Sequence, residues 1–285
     1  MKILLRGSLD HSAFEEIIHS LDRVESGTEV IFDGSGVSFV DPYGLVGLIT
    51  AARYCKGLGI RPKIVAPPLS VSTYMKRMNF FEAMDEYGDY EKVFSFSFPS
   101  RRDSPLLEVT KVEVSQGYNS IIDISGELTK RMKMMLSRGS TFSQSTVTGL
   151  VTNIVEICEN VEHSHDIGFV AAQRYRTTIP MVKVGIMDLG IGIANSLRGK
   201  YERKVSNWSD SKAIRLSLLP DITSRQESGG LGLSQLSKFI REQTRGELVI
   251  RSGNAKRVIS HEGERDYREL NFFPGTQISM TIPAC

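Results

Sequence analysis

The order of strand and helix signals changes near the middle of this 285-residue chain. In the first hundred residues, short apolar runs at 29–32 and 63–66 alternate with longer helical segments such as 43–58, and this alternation is typical of an α/β layer. Farther on, the apolar runs 168–175 and 182–187 are separated only by a short loop, which predicts an antiparallel pair. We therefore predict an α/β chain in two parts. The second part is expected to be a two-layer α+β sandwich, with one mostly antiparallel sheet covered by helices on one face.

The boundary between the two parts is predicted at residues 98–105. This stretch, F-P-S-R-R-D-S-P, is polar and charged and contains two prolines, which is typical of a linker, although a surface loop within one domain is the alternative. The predicted domains are residues 1–98 and 106–285. Within the first domain, residues 33–36 are expected to form a turn that ends a strand, and 70–81 is expected to form one helix.

Charge and composition exclude several classes of partner. The 35 lysines and arginines barely exceed the 33 aspartates and glutamates, and no tract concentrates the basic residues, so we expect no nucleic-acid partner. No window approaches the roughly 18 apolar residues that a membrane span requires, and the apolar start of the chain is too short for a signal sequence. The three cysteines are odd in number and far apart, which fits a reducing compartment. We therefore expect a cytoplasmic protein without a membrane segment.

A carboxylate and an amide share one face of the helix predicted at 145–162. Glu156 and Asn160 are four residues apart, so their side chains project from the same side, one turn apart. Together they can hold a water molecule and a Mg²⁺ ion, which takes few protein oxygens and completes its shell with water and phosphate. The alternative is that both are surface polar groups on an amphipathic helix.

A second motif follows the predicted strand 182–187. Asp188 ends this apolar run, where its carboxylate can accept a hydrogen bond from an exocyclic amine. Gly190 and Gly192 come directly after it, and without a Cβ they allow a flat ring to approach the backbone. An ordinary turn after a strand has the same residue types.

Two further glycine motifs lie toward the end of the chain. The sequence E-S-G-G-L-G-L at 227–233 opens a predicted helix, and backbone N–H groups at such a helix start bind phosphate oxygens. A flexible turn before a helix is the alternative. Gly275 and Thr276 precede the last predicted strand, where the threonine hydroxyl could support Asp188.

The order of these four motifs resembles that of the GHKL family of ATP-binding domains. The resemblance covers roughly 106–285 and implies ATP and Mg²⁺ as cofactors. Matched position by position, it makes Asn160 the Mg²⁺ ligand and Glu156 the general base of the ATP-hydrolysing members. It makes Asp188 the residue that recognises the adenine amino group, with Thr276 supporting it through water.

The resemblance also assigns the glycines and a lid. Gly190 and Gly192 match the loop beside the base, and the phosphate-contacting segment includes Gly230, Leu231, Gly232 and Leu233. Residues 199–229 match the lid over the nucleotide. The apolar Ile193 receives no chemical role.

The first domain resembles a STAS domain, as found in anti-sigma-factor antagonists. The resemblance covers about 1–98 and depends on residues 33–48, D-G-S-G-V-S-F-V-D-P-Y-G-L-V-G-L. Such antagonists usually carry a phosphorylatable serine between the aspartate and the glycine. Here Pro42 and Tyr43 stand between Asp41 and Gly44, so the phosphorylation switch is expected to be absent and the domain to act in docking or sensing.

Three functions remain open. The first is an ATP-binding regulatory protein of the anti-sigma-factor serine-kinase type. Its expected partners are ATP and a regulatory protein, and whether it forms a homodimer is left open. The second is a slow Mg-ATPase that acts as a conformational switch. The third is a non-enzymatic ATP-binding interaction module. The first is favoured because no helical hairpin with an acceptor histidine precedes residue 145 and no transducer domain follows the last strand.

Overall fold

The computed structural model describes residues 1–90, 106–112, 118–137, 142–164, 166–223 and 231–283. Two sheets are present in this part of the chain. The first has four parallel strands in the order β1-β2-β3-β4 and is formed by residues 2–90. Its strands and helices, in chain order, are β1 (Lys2–Leu9), α1 (Ala13–Leu21), β2 (Ile31–Val40), α2 (Pro42–Gly57), β3 (Lys63–Val65), α3 (Leu69–Arg77), α4 (Phe80–Met84) and β4 (Asp89–Tyr90).

Two predictions for the first part were wrong in detail. Residues 33–36 do not end a strand, because β2 continues to Val40 and stays paired with β1 through two register shifts. The segment 70–81 is not one helix either. Asn79 adopts a left-handed conformation (φ 57°) that separates α3 from α4, and asparagine tolerates this region better than most residues.

The second sheet has seven antiparallel strands in the order β10-β9-β8-β11-β7-β6-β5. Its elements, in chain order, are β5 (Leu106–Val112), α5 (Tyr118–Ser137), α6 (Gln144–His163), β6 (Gly168–Tyr175), β7 (Met181–Asp188), α7 (Gly192–Tyr201), α8 (Asp210–Ser217), α9 (Gly232–Gln243), β8 (Glu247–Gly253), β9 (Ala255–Ser260), β10 (Gly263–Tyr267) and β11 (Phe273–Pro283). A parallel sheet followed by an antiparallel sheet with helices confirms the predicted fold class. The predicted antiparallel pair is β6 and β7.

Some elements of the second part were not predicted from the sequence. Strands β9 and β10 are short and rich in charge, so they lack a clear apolar alternation. The end of α7 and the whole of α8 lie within the stretch interpreted as a lid. The predicted linker lies outside the described residues, as does the lid segment 224–230, and the division at 98 and 106 stays a prediction.

Both faces of the central strands of the seven-stranded sheet are buried. Along β7, Val182, Val184 and Ile186 belong to a core shared with α5, α6, α8 and α9, whereas Met187 on the opposite face belongs to the core of residues 2–90. Because successive side chains of a strand point to opposite faces, one face of the sheet packs against the helices of the second part and the other face packs against residues 2–90. The N-terminal part therefore adds a third layer to the two-layer sandwich expected for the second part.

Helix α2 packs directly on the middle of this second face. Its N-cap, Asp41, accepts a hydrogen bond from Gly44 N at 2.9 Å and lies 3.1 Å from Nζ of Lys183 on β7. A Cβ built on Gly185 of β7 would lie 2.5 Å from Cα of Tyr43, so only glycine allows this close approach. The two backbones are therefore in contact at the point where α2 begins.

Replacing Gly185 with alanine is expected to lower the free energy of unfolding by about 1–3 kcal/mol, because the added methyl group would push α2 off β7. Chemical denaturation of the full chain measures this. Gly149 is the control, since it is exposed within α6 and a Cβ there meets nothing within 4 Å. Gly149→Ala is expected to stabilise by about 0.5–1 kcal/mol. Equal effects of the two substitutions would contradict the packing described for α2.

Candidate functional site

A cleft opens between α6, the end of β7 and the start of β11. Six of the residues that line it were predicted as site residues from the sequence: Glu156, Asn160, Asp188, Gly192, Leu233 and Thr276. Of these, Leu233 lies at the beginning of α9. These residues are up to 120 positions apart in the chain, so the fold brings the four separate sequence motifs to one place.

Asp188 is the buried acid of the cleft. It is 5% exposed, and its Oδ1 accepts a hydrogen bond from Gly190 N at 2.8 Å. Burial raises the pKa of Asp188 to about 7, and it outweighs the opposite effect of the hydrogen bond from Gly190, which lowers the pKa. A carboxylate of this kind is costly for the folded state unless a ligand satisfies it.

Three glycines shape the backbone around Asp188. A Cβ on Gly190 would lie 2.3 Å from the carbonyl oxygen of Ser164, and one on Gly275 would lie 2.1 Å from the carbonyl oxygen of Asp188. Gly192 and Gly275 have positive φ angles of 72° and 79°. Side chains at these positions would force the segments apart, so the glycines maintain the narrow wall of the cleft.

Helix α9 begins against Glu156 of α6. A Cβ on Gly232 would lie 3.1 Å from the Oε2 atom of Glu156, so the first turn of α9 approaches this carboxylate closely. The first N–H groups of a helix have no partner within the helix and favour anions. Glu156 is half-buried, whereas Asn160, one turn farther along α6, is exposed. The arrangement places the Glu156 carboxylate beside a helix start, and the Asn160 amide lines the same cleft one turn away.

Some predicted residues lie outside the cleft lining. Gly190, Leu231 and Gly232 are not among the described residues that line it, although Gly190 and Gly232 determine how closely its walls approach. Gly230 lies outside the described residues. Lys200, one of the basic residues of the predicted lid, donates a hydrogen bond to the carbonyl oxygen of Thr223 at 3.3 Å, and Thr223 itself lines the cleft.

The remaining lining is mostly apolar and was missed by sequence reasoning. It includes Ile157 and Val161 from α6, Ile186 and Ile278 from the sheet, and Ile193 and Leu197 from α7. Ile193 had received no role. The sequence position of Ile157 and Val161, each one residue after Glu156 and Asn160, could have indicated that they line the site. Apolar residues on a buried helix are equally typical of a core, however.

Comparison with known proteins identifies the first part of the chain. The family model described as the STAS domain matches residues 1–95, so a STAS domain is present there, as the sequence resemblance predicted. No curated protein matches the chain. The match ends before β5 and does not reach the cleft. A STAS domain is consistent with a regulatory role.

Pro42 and Tyr43, the two residues between Asp41 and Gly44, are both buried. Tyr43 is 2% exposed and packs edge-on against Phe14 with ring centroids 5.7 Å apart. It also contacts Gly185 of the seven-stranded sheet. Among the described residues, no helix is long and apolar enough to span a membrane.

Proposed function

We propose that the cleft binds ATP with Mg²⁺, and that the chain is an ATP-binding regulatory protein of the anti-sigma-factor serine-kinase type. The observation that carries this proposal is Asp188, a buried carboxylate with a raised pKa at the end of a glycine-walled apolar cleft. An apolar cleft with a few convergent polar groups is the usual form of a small-molecule site.

The adenine end is assigned by hydrogen-bond chemistry. Oδ1 of Asp188 accepts from Gly190 N, and because a carboxylate can accept several hydrogen bonds, it can also accept one from the exocyclic amine of adenine. Thr276 lines the same end and can supply a hydroxyl for a bridging water. The walls formed by Ile186 and Ile278 fit the faces of a flat base.

The phosphate end is assigned to α6 and the start of α9. The amide oxygen of Asn160 is a suitable Mg²⁺ ligand that leaves most of the coordination shell to water and phosphate. The N–H groups at the beginning of α9, which Gly232 allows to lie close to Glu156, fit phosphate oxygens. The amide of Asn160 and the start of α9 are thus groups that suit Mg²⁺ and phosphate, with the Glu156 carboxylate beside them.

The proposed reaction is phosphoryl transfer to a serine of a partner protein. Mg-ATP supplies the γ-phosphoryl group, whose bond to ADP is broken as a bond to the serine oxygen is formed. The carboxylate of Glu156 accepts the proton that the serine hydroxyl loses. The same carboxylate could activate water instead, which is the basis of the second candidate, a slow Mg-ATPase.

Radiolabelled ATP distinguishes the candidates. The full chain is incubated with [γ-³²P]ATP, Mg²⁺ and candidate STAS-containing partner proteins, and the partners are analysed for phosphoserine. Label on a partner serine supports the kinase, free phosphate without protein label supports the ATPase, and bound ATP with neither supports a binding module. Absence of ATP binding contradicts all three.

Glu156→Gln is expected to reduce transfer by about 100-fold or more while ATP still binds, because general-base catalysis contributes roughly 10²–10⁴-fold. Glu159→Gln is the matched control, with the same change one turn along α6. The Glu159 carboxylate accepts from Ser125 Oγ at 3.3 Å and is not among the described residues that line the cleft. Equal activity of the two variants would contradict the role assigned to Glu156.

A further inference from the structure

A side chain of the STAS domain reaches the loop that walls the cleft. Arg53, on α2, donates from Nη1 to Oδ2 of Asp166 and to the carbonyl oxygen of Ile167, both at 2.7 Å. Its Nη2 donates to Oδ1 of the same carboxylate. The side chains of Arg53 and Asp166 are only 18% and 14% exposed. A two-pronged, largely buried pair of this type holds both partners in a defined orientation.

The same carboxylate holds the residue after Asp188. Oδ2 of Asp166 accepts a hydrogen bond from Leu189 N at 2.7 Å, and the carbonyl oxygen of Ser164 accepts one from Ile191 N at 3.1 Å. The loop 189–191 is therefore held by backbone donors that point to Ser164 and Asp166. Since Arg53 orients Asp166, one chain of contacts runs from α2 to the loop.

The charge state of Asp166 suits this task. Burial acts to raise its pKa, but the hydrogen bond from Arg53 and those from the backbone of Ile167 and Leu189 outweigh it and hold the pKa below the ordinary value. The carboxylate is thus ionised at neutral pH, and it can accept from the guanidinium and from Leu189 N together.

We infer that Arg53 is a positioning residue for nucleotide recognition, through which the STAS domain sets the geometry of the loop beside Asp188. This inference rests on the proposed ATP site. Arg53 does not touch the nucleotide. It maintains Asp166, and Asp166 maintains the backbone beside the carboxylate that recognises adenine. A partner that shifts α2 against the sheet would consequently change nucleotide affinity, and by linkage nucleotide would change the affinity for that partner.

The test compares three variants of the full chain. Arg53→Met keeps the length of the stem but removes every hydrogen bond, and Arg53→Lys keeps the charge without the two-pronged geometry. Arg61→Met is the matched control, because Arg61 forms a similar set of bonds, to Asp89 Oδ1 at 2.7 Å and to the carbonyl oxygen of Asp85 at 2.8 Å, that stays within the STAS domain.

Two readouts separate positioning from a general loss of structure. Arg53→Met is expected to weaken ATP binding about tenfold, within the usual range of coupling between sites, and to lower the preference for ATP over GTP. Arg53→Lys is expected to recover part of the ATP affinity and part of the preference for ATP over GTP. Arg61→Met is expected to match the wild type in both. In the background Asp166→Asn, Arg53→Met is expected to have a smaller effect than in the wild type, since both residues act through the Arg53–Asp166 pair.

Hydrogen exchange without nucleotide keeps the test independent of the proposed function. The amide of Leu189 is expected to exchange faster in Arg53→Met than in the wild type or in Arg61→Met. Unchanged exchange at Leu189, or an unchanged ATP-to-GTP preference in a variant that binds ATP, overturns the inference. If the wild type binds no ATP, the proposed function fails, while faster exchange at Leu189 still supports the contact chain from α2 to the loop.

Discussion

Asp188→Asn is expected to abolish ATP recognition and, at the same time, to make the folded chain more stable above pH 7. Both effects follow from replacing a carboxylate that is 5% exposed with a neutral amide. In the variant, the carbonyl oxygen of the amide still accepts from Gly190 N, so the NH₂ group faces the amine of adenine. Two donors then oppose each other, and we expect ATP affinity to fall by about 100-fold or more.

The sign of the stability change follows from the raised pKa. Folding raises the pKa of Asp188 from an ordinary value of 3.8 to about 7. Between these values the folded state retains a proton that the unfolded chain has released, so the stability contributed by this group falls as the pH rises. Asparagine does not titrate. The variant should therefore resemble the wild type near pH 4 and exceed it by up to about 4 kcal/mol above pH 7.

Urea denaturation at pH 4, 6 and 8 measures this difference, and Asp33→Asn is a control of opposite sign. The hydrogen bond from Lys2, whose Nζ lies 2.6 Å from Oδ2, and those from Ser35 lower the pKa of Asp33 to about 2. The ionised Asp33 carboxylate thus stabilises the fold above pH 4, and this contribution disappears as the pH falls toward 2. Asp33→Asn removes the contribution, so the variant should be less stable than the wild type at pH 8. An Asp188→Asn variant that is less stable than the wild type at pH 8 would contradict the account of the site.

Glu15→Ala is expected to cause the largest loss of stability, about 3–5 kcal/mol, because it leaves a buried positive charge unpaired. Arg251 on β8 is completely buried, and its Nε lies 3.3 Å from Oε2 of Glu15 on α1. Nζ of Lys256 lies 3.0 Å from Oε1 of the same carboxylate. One glutamate of the STAS domain therefore neutralises two cations on the face of the other sheet.

Glu16→Ala is the matched control, since Glu16 is the next residue of α1 and is exposed. Its effect is expected to stay within about 0.5 kcal/mol, the usual range for surface substitutions. Denaturation of both variants at neutral pH gives the comparison. Similar losses for the two variants would show that the charges of Arg251 and Lys256 are compensated without Glu15.

The cleft could be predicted from the sequence largely because its residues occur in local patterns. Glu156 and Asn160 share a face of one helix, and Asp188 and Gly192 follow one strand, so spacing alone grouped each pair. The resemblance to the GHKL family then joined groups that no periodicity connects. The resemblance to STAS rested on one continuous motif, and the family match to residues 1–95 confirms it.

The packing of the two parts could not be predicted in the same way. Arg53 and Asp166 are 113 residues apart in the chain, and Glu15 and Arg251 are 236 residues apart. The sequence around a charged residue does not indicate which distant residue it will pair with. Arginine and glutamate on helices are usually solvated, which is the expectation that this fold overrides. The break between α3 and α4 at Asn79 was also missed, because the helical spacing of apolar residues continues across it although the helical backbone conformation is interrupted there.

Recognition of adenine by the cleft can be measured by isothermal titration calorimetry of the full chain with Mg-ATP and then with Mg-GTP. We expect saturable binding of one ATP per chain and at least about tenfold weaker binding of GTP, because the carbonyl oxygen at position 6 of guanine would face the Asp188 carboxylate without a donor. No heat of binding with ATP, or equal affinities for the two nucleotides, would contradict it.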